Sequence, residues 1–532
     1  MPVSTTTSLN AARRTREIAA LAGGEVVDVL VVGLGVTGAG AALDAASRGL
    51  SVAALDAHDL AFGTSRWSSK LVHGGLRYLA NLDFATAYEC AQERGILLDH
   101  TAPHLTRPIP VLLPLGPSVS AGFARMHRAG ILAGDALRKV AGTTAATLPR
   151  ARRLPVGATL RLAPGLRRDG LRGGHLNWDG QLEDDARLVV AVARTAAGLG
   201  AKILTRSRVT ALAGDGAEVR DELDGTSWTI RARSVVNAAG VWADRLVPGI
   251  TLRPSLGSHL VLRRERLGGL DAELTVPVPD ERARYVIAVP QPNGLAYVGI
   301  TDEPVDGPVE DVPSVPESDV GFLLNVLSSA LATPLQRSDV VGTYAGLRPL
   351  LDDGHGRSAD ISRRHTVVTS PDGVVTVVGG KLTTYRRMAQ DAVDTALRRH
   401  GLTAGPSTTK RLPLVGAAPR ATLTRLGGPE HLVRRYGREA ASVAALAVDD
   451  PKLGEPLVPG GETIGAELAW ALRHEGALDV EDLLERRTRI GLIPADRAAA
   501  QPLAEAILAD YGRSNDDGRS NDDGRFNESS GD

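Results

Sequence analysis

"VVGLGVTGAG", residues 31–40, closes one apolar run and opens a helix of small residues. The run before it, "EVVDVLVVG" (25–33), places Val26, Val27, Val29, Leu30, Val31 and Val32 almost without a break. That density suits a strand buried on both faces of a parallel sheet. "VTGAGAALDAASRGL" (36–50) then reads as an Ala-rich helix that stops at Gly49, and "SVAALDA" (51–57) as a second strand. Together they form a βαβ unit. Gly33, Gly35 and Gly38 fall in the spacing G-x-G-x-x-G. The first glycine permits the tight turn, the second lets backbone approach a pyrophosphate, and the third lets helix and strand pack closely. The helix start offers N–H groups and the positive end of a dipole. Asp56 ends the second strand, where its carboxylate can accept from a ribose hydroxyl.

The fingerprint alone does not separate NAD from FAD. No second fingerprint follows, and three distant segments have the composition of clamps around a flavin. "TSRWSSKLVHGGLRYL" (64–79) is rich in Ser, Gly and basic groups; it offers Thr64, Ser65, Ser69, Lys70, Leu71, His73, Gly74 and Gly75 to a cofactor. "VVNAAGVWAD" (235–244) ends a strand in small residues, among them Ala239 and Gly240, and Val209 lies on a strand before it. "VVGGKLTTYRRMA" (377–389) sets Gly380, Lys381, Leu382 and Thr383 at a helix start, where positive charge favours an anionic reduced flavin. FAD bound without a covalent link is the expectation.

The rest of the chain bounds the fold class. With 532 residues it can hold two or three domains. A net charge of −1 gives no electrostatic case for nucleic acid. Cys90 is the single cysteine, which excludes an internal disulfide and any multi-cysteine metal site, so no metal is expected. Residues 1–24 lack the apolar core of a signal peptide, and no apolar run is long enough to span a bilayer. Any membrane contact is therefore peripheral. Residues 1–25 are small, polar and basic and read as a flexible arm. Residues 26–400 form an oxidoreductase region in which α/β cofactor-binding segments interleave with an antiparallel substrate sheet, marked by "SHLVLRR", "RYVIAVP" and "LAYVGIT". Residues 401–511 read as a helical C-terminal domain, and 512–532, with "GRSNDD" repeated, as a disordered tail.

"SSKLVHGGLRYL" (68–79), "DDARLV" (184–189), "GSHLV" (257–261), "TYAGLRPL" (343–350) and "GGKLTTYR" (379–386) closely resemble the FAD-dependent glycerol-3-phosphate dehydrogenases. These are quinone-reducing, membrane-associated enzymes with glycerophosphate oxidases as relatives. The likeness runs in order from about 27 to 400, and "DVEDLLERRTRIGL" (479–492) is similar to that family's helical cap. It implies an FAD-binding Rossmann-like domain, an antiparallel-sheet substrate domain and a helical C-terminal domain. It also implies oxidation of glycerol 3-phosphate to dihydroxyacetone phosphate, with electrons passed to quinone from the inner, cytoplasmic face of the membrane. Asp56 stands where many relatives carry Glu.

That reaction needs a grip on a phosphate, an acceptor for the alcohol proton, and a path for hydride from C2 to the flavin. Arg suits the phosphate because its fork donates two parallel bonds. Arg77 and Arg348 lie in the motifs and Arg363 lies in "DISRRHT", where Arg364 is an adjacent alternative; Tyr78 can add a hydroxyl. His259 is the candidate base, with Arg348 lowering the pKa of the bound hydroxyl as the alternative and Lys381 near the reacting ring. His73 is expected to pack beside the flavin. Three readings compete with quinone reduction: an oxidase using oxygen, the same fold acting on another substrate, and a flavin-binding protein without turnover. The helical C-terminal domain either covers the active site or mediates a homodimer.

Overall fold

The computed structural model describes residues 5–80, 82–279, 281, 284–352 and 364–512. Among them an eight-stranded sheet is built around Val26–Val32, which pairs in parallel with Val52–Leu55 on one side and Ser227–Asn237 on the other. Lys202–Leu204 extends the sheet beyond Val52–Leu55, and Val375–Val378 extends it beyond Ser227–Asn237, both in parallel. Val27, Val29, Leu30 and Val31 are fully buried because helices cover one face, and the strands Ser207–Ala213 and Gly216–Asp221 with Leu21 cover the other. The fingerprint helix Val36–Ser47 packs between Asp185–Gly198 and Tyr385–His400. Gly40 permits the second contact: a Cβ there would stand 3.0 Å from the Tyr385 ring.

The second sheet has ten strands. Its long path runs from Ser255–Arg263 through Leu295–Gly299, Tyr285–Pro290, Glu273–Pro277, Thr106–Pro114 and Gly174–Leu182 to Leu71–Val72. All these neighbours are antiparallel except Glu273–Pro277 beside Thr106–Pro114. Val340–Arg348 pairs with the other side of Ser255–Arg263, which sets Arg348 opposite Ser255 and Tyr344 opposite His259. A separate apolar core gathers helices between Glu430 and Gly512, around Trp470, Leu468 and Leu483. The tail expected from 513 onward lies outside the described residues.

Residues 5–25 correct the sequence reading. Ala11–Ala22 is a helix, capped by the Asn10 side chain, with Leu21 buried. Arg16 is exposed, but the other two basic residues are spent on the fold. Arg13 donates to the carbonyls of Ala197 and Ala201 (3.1 and 3.2 Å), and Arg14 bonds Asp221 at 2.8 Å. Composition made this segment look mobile because guanidinium groups that satisfy distant carbonyls leave no local signature.

Candidate functional site

The site grows from the end of the first strand. Gly33 adopts φ +101°, and a Cβ there would stand 2.5 Å from the Ala238 carbonyl oxygen. A Cβ on Gly38 would overlap the Gly33 carbonyl, so this glycine lets the helix close onto its own turn. Gly35 is tight only against the Ser65 hydroxyl, at 3.0 Å. That hydroxyl accepts from the Val36 N–H and fixes the clamp segment at the helix start. Asp56 accepts from the Leu34 N–H at 2.6 Å and the His58 N–H at 2.8 Å. Burial outweighs these bonds and raises its pKa to about 6.

From this cradle a cavity of about 1180 Å³ runs between the two sheets. It exceeds the roughly 300–1,000 Å³ of a usual small-molecule pocket. Gly33, Gly35, Asp56, Thr64, Ser65, Val209, Ala239 and Gly240 line one end. Ser69, Leu71, His73, Gly75, Gly380, Lys381, Leu382 and Thr383 line the middle. Small residues, a carboxylate for a ribose and exposed backbone turns suit a long dinucleotide, so the residues present fit FAD. Lys381 holds its ammonium 4.1 Å from the centre of the Tyr78 ring, bringing positive charge to the wall.

Arg348 reaches the cavity from the end of its strand. Its guanidinium donates to Ser255 (3.2 Å), Asp302 (3.1 Å) and the Thr301 carbonyl (3.0 Å). Thr64 ties the cofactor end to the same strand by donating to the Leu347 carbonyl at 2.6 Å. The cation is thus held rigidly on the wall, as recognition of an anion requires.

The structure places the two histidines differently with respect to the cavity. His259 is buried and is not among the lining residues. Its Nε2 lies 2.8 Å from the Ser69 hydroxyl, and its ring stacks on Tyr344 at 4.5 Å. Burial, then the Lys70 and Arg348 cations, hold its pKa well below the ordinary value. It braces the wall behind Ser69 and does not itself line the cavity. His73 lines the cavity with its side chain 45% exposed, and its Nδ1 lies 3.2 Å from Asp179. Arg94 bonds the same carboxylate at 2.7 Å and is the largest of the influences that bring Asp179 down to about 2, against its burial. An anionic Asp179 fixes the imidazole and leaves Nε2 for other work.

Two further residues depart from the expected cofactor set. Lys70 is fully buried and absent from the lining; its ammonium bonds Asp185 at 2.9 Å and the Ser68 carbonyl at 2.7 Å. Gly74 also lies behind the wall: its N–H bonds Asp179, and a Cβ would overlap the Arg94 guanidinium. Tyr78 touches the site through Lys381 and is not a lining residue. The Arg77 side chain and Arg363 lie outside the described residues. Arg364, the adjacent alternative, pairs with Asp83 on the surface.

The sequence reading missed Asn177, Asp179, Glu273, Thr275, Thr301 and Asp302. One signal was present. "HLNWDGQL" and "ELTVP" alternate polar and apolar residues, as strands with a wet face do. Here the polar face meets a cavity instead of bulk water.

Comparisons with known proteins agree with this geometry. Residues 28–386 match the family model described as FAD dependent oxidoreductase. Residues 407–517 match that of the C-terminal domain of alpha-glycerophosphate oxidase. Glycerol-3-phosphate dehydrogenase 1 of Mycobacterium tuberculosis is 51% identical over 509 residues, covering 94% of this chain and 98% of the relative. The mitochondrial glycerol-3-phosphate dehydrogenase of Mus musculus is 35% identical, covering 88% of this chain and 68% of its own. The solved structure of the Bacillus halodurans glycerol-3-phosphate dehydrogenase complexed with FAD superposes with a TM-score of 0.71 at 26% identity, covering 95% of this chain and 96% of that one.

Proposed function

The chain belongs to the family of FAD-dependent glycerol-3-phosphate dehydrogenases, and from that premise we propose that it oxidises sn-glycerol 3-phosphate to dihydroxyacetone phosphate and passes the electrons to a membrane quinone. The observation that carries the substrate reading is one cavity with a dinucleotide cradle at one end, Arg348 on its wall and the His73–Asp179 pair beside the clamp residues. Bound FAD supplies the redox chemistry by taking hydride from C2. Arg348 grips the anionic substrate and stabilises charge growing on the C2 oxygen. His73 takes the hydroxyl proton on Nε2 while Asp179 stabilises the imidazolium that forms. Lys381 favours negative charge on the reduced ring.

The decisive experiment is anaerobic bleaching of bound flavin by glycerol 3-phosphate, set against glycerol and lactate. Bleaching by all three, or by none, would refute the phosphate-substrate reading. The match of residues 407–517 to an oxidase domain favours oxygen as a second reading of the acceptor. Oxygen consumption with substrate alone separates the two. Among the described residues no helix is long and apolar enough to cross a membrane. The quinone reading therefore goes with peripheral attachment at the cytoplasmic face. Its support is the Ala121–Val140 helix, which exposes Met126, Leu132 and Val140 beside Arg125, Arg128 and Lys139.

A further inference from the structure

Beyond His73 the cavity continues along one face of the second sheet. Register places Glu273 opposite Val111, and Val111 opposite Asn177, with Asp179 two residues further along the same face. Helix Ala121–Val140 covers this arm with Met126, His127, Gly130 and Ile131. Glu273 lines the cavity at 4% exposure, and its Oε2 has no hydrogen-bond partner among the described residues. A buried carboxyl oxygen left unbonded costs about 1–3 kcal/mol, so its retention needs a reason. Thr275 bonds the carboxyl but leaves this oxygen unmet, and the neighbouring wall at Val111 and Ile287 is apolar.

We propose that Glu273 is the proton-accepting partner of His73: the proton that His73 removes from the substrate hydroxyl passes through this arm to the Glu273 carboxylate. The step balances. The O–H bond breaks to His73 Nε2, and the C2–H electron pair leaves as hydride with the established flavin chemistry. The proton then moves from imidazolium to carboxylate, restoring neutral His73 and leaving a neutral Glu273. Both side chains line one connected space, and His73 acts electrostatically on Glu273. The charged and titratable groups around the arm come from several elements. His73 follows the Leu71–Val72 strand; Asp179 lies on Gly174–Leu182 with Arg94 behind it; His127 comes from the covering helix; Glu281, Arg284 and Tyr285 stand at the mouth; Lys381 sits at the Gly-Gly turn. Burial is the largest influence on Glu273; His73 pulls against it, ahead of the repulsion from Asp179 and the bond from Thr275, and burial prevails, so the pKa rises to about 7. It therefore changes charge in the range where the enzyme must hold and release a proton.

This inference rests on His73 as the base, and the test separates the two. Holoenzyme is mixed anaerobically with glycerol 3-phosphate in weak buffer containing a pH indicator, and flavin bleaching and proton release are read together from pH 6 to 8.5. At pH 8 wild type releases its proton after the flavin bleaches, because ionised Glu273 holds it before yielding it to solvent; at pH 6, where Glu273 is already protonated, release keeps pace with bleaching. Glu273→Gln keeps its flavin, releases the proton in step with bleaching at pH 8, and loses the rise in bleaching rate near pH 7, slowing about tenfold. Glu273→Asp restores the delay in part, which a merely structural role would not do. Equal timing of proton release and superimposable pH profiles in wild type and Glu273→Gln would overturn the inference. His73→Gln reports on the base alone: bleaching at the wild-type rate would remove His73 whatever Glu273 does.

Discussion

Asp56 carries a charge that a ribose would use, and its raised pKa makes that use depend on pH. A ribose hydroxyl donates best to the ionised carboxylate, so FAD affinity is full above pH 6 and falls below it, by up to tenfold per pH unit. The unliganded fold has the opposite preference: a raised carboxyl pKa favours the protonated form, and this group's contribution to stability declines as pH rises from 3.8 to about 6. Fluorescence titration of FAD into the apoprotein between pH 5 and 8 tests the sign, and Asp56→Asn should flatten the curve. Arg348 makes a second prediction at this scale. A charge-assisted bond in a dry site contributes about 3 kcal/mol to the transition state, so Arg348→Ala should lower kcat/KM about a hundredfold. Arg348→Lys recovers only part of it, because the fork is lost. The ties to Asp302, Ser255 and Thr301 add a structural cost of about 1–3 kcal/mol, read as a lower melting temperature. Unchanged kcat/KM in the Ala variant would take Arg348 out of the site.

The fingerprint turn separates binding from folding at the level of one element. Gly35 faces the cavity and meets only a hydroxyl, whereas Gly38 faces backbone. Gly35→Val should therefore fold and lose FAD. Gly38→Ala should destabilise even the apoprotein, by about 1–3 kcal/mol, because the Gly33 carbonyl cannot yield cheaply. Circular dichroism melts of both apoproteins and their flavin content check this; a Gly35→Val variant with full flavin refutes the cradle. The Ala121–Val140 helix is the second element to test. Ile131 points inward, and Arg138 is spent on Asp135 and the Thr143 carbonyl. The outer face nonetheless keeps three exposed apolar residues and three cations, and the neighbouring helix start adds exposed Leu82 and Phe84. Flotation with anionic liposomes at low salt should carry the protein up, and Met126→Glu with Leu132→Glu should abolish it. Wild type that stays at the bottom ends the membrane reading.

Over the whole molecule, buried ion pairs join the C-terminal domain to the FAD-binding region. Asp59 receives Arg486 at 2.7 Å and Arg487 at 2.7 and 2.8 Å, and Asp185 receives Arg489 at 2.6 Å. The guanidinium groups hold the Asp59 carboxyl far below the usual range. Its stabilisation is thus fully present above pH 3.8 and fades only in stronger acid. Asp59→Asn leaves Arg487 buried without its paired carboxylate, while Arg486 keeps Asp482, and should cost about 3–5 kcal/mol. Urea denaturation should show the loss, and limited proteolysis should cut first between residues 401 and 430. Wild-type stability in that variant would mean the pairs do not hold the domains together.

The sequence by itself determined the dinucleotide unit, the antiparallel stretches near 257–301, and the family. Each of these rests on local rules: glycine spacing, apolar runs and motifs whose residues are near in the chain. The same locality explains what it missed. Arg13 and Arg14 looked solvated because the carbonyls of Ala197 and Thr205 that they reach lie more than 180 residues away. Asp179 and Glu273 escaped notice because period-two alternation marks two faces without saying what each one meets. His259 and His73 both sat in suggestive motifs, and only packing separated them, by stacking one on Tyr344 behind Ser69 and turning the other into the cavity beside Asp179. Chain-local physics chose the elements. Which polar groups face solvent, a ligand or each other was decided when two sheets closed around one cavity, because desolvation and charge pairing depend on neighbours distant in sequence.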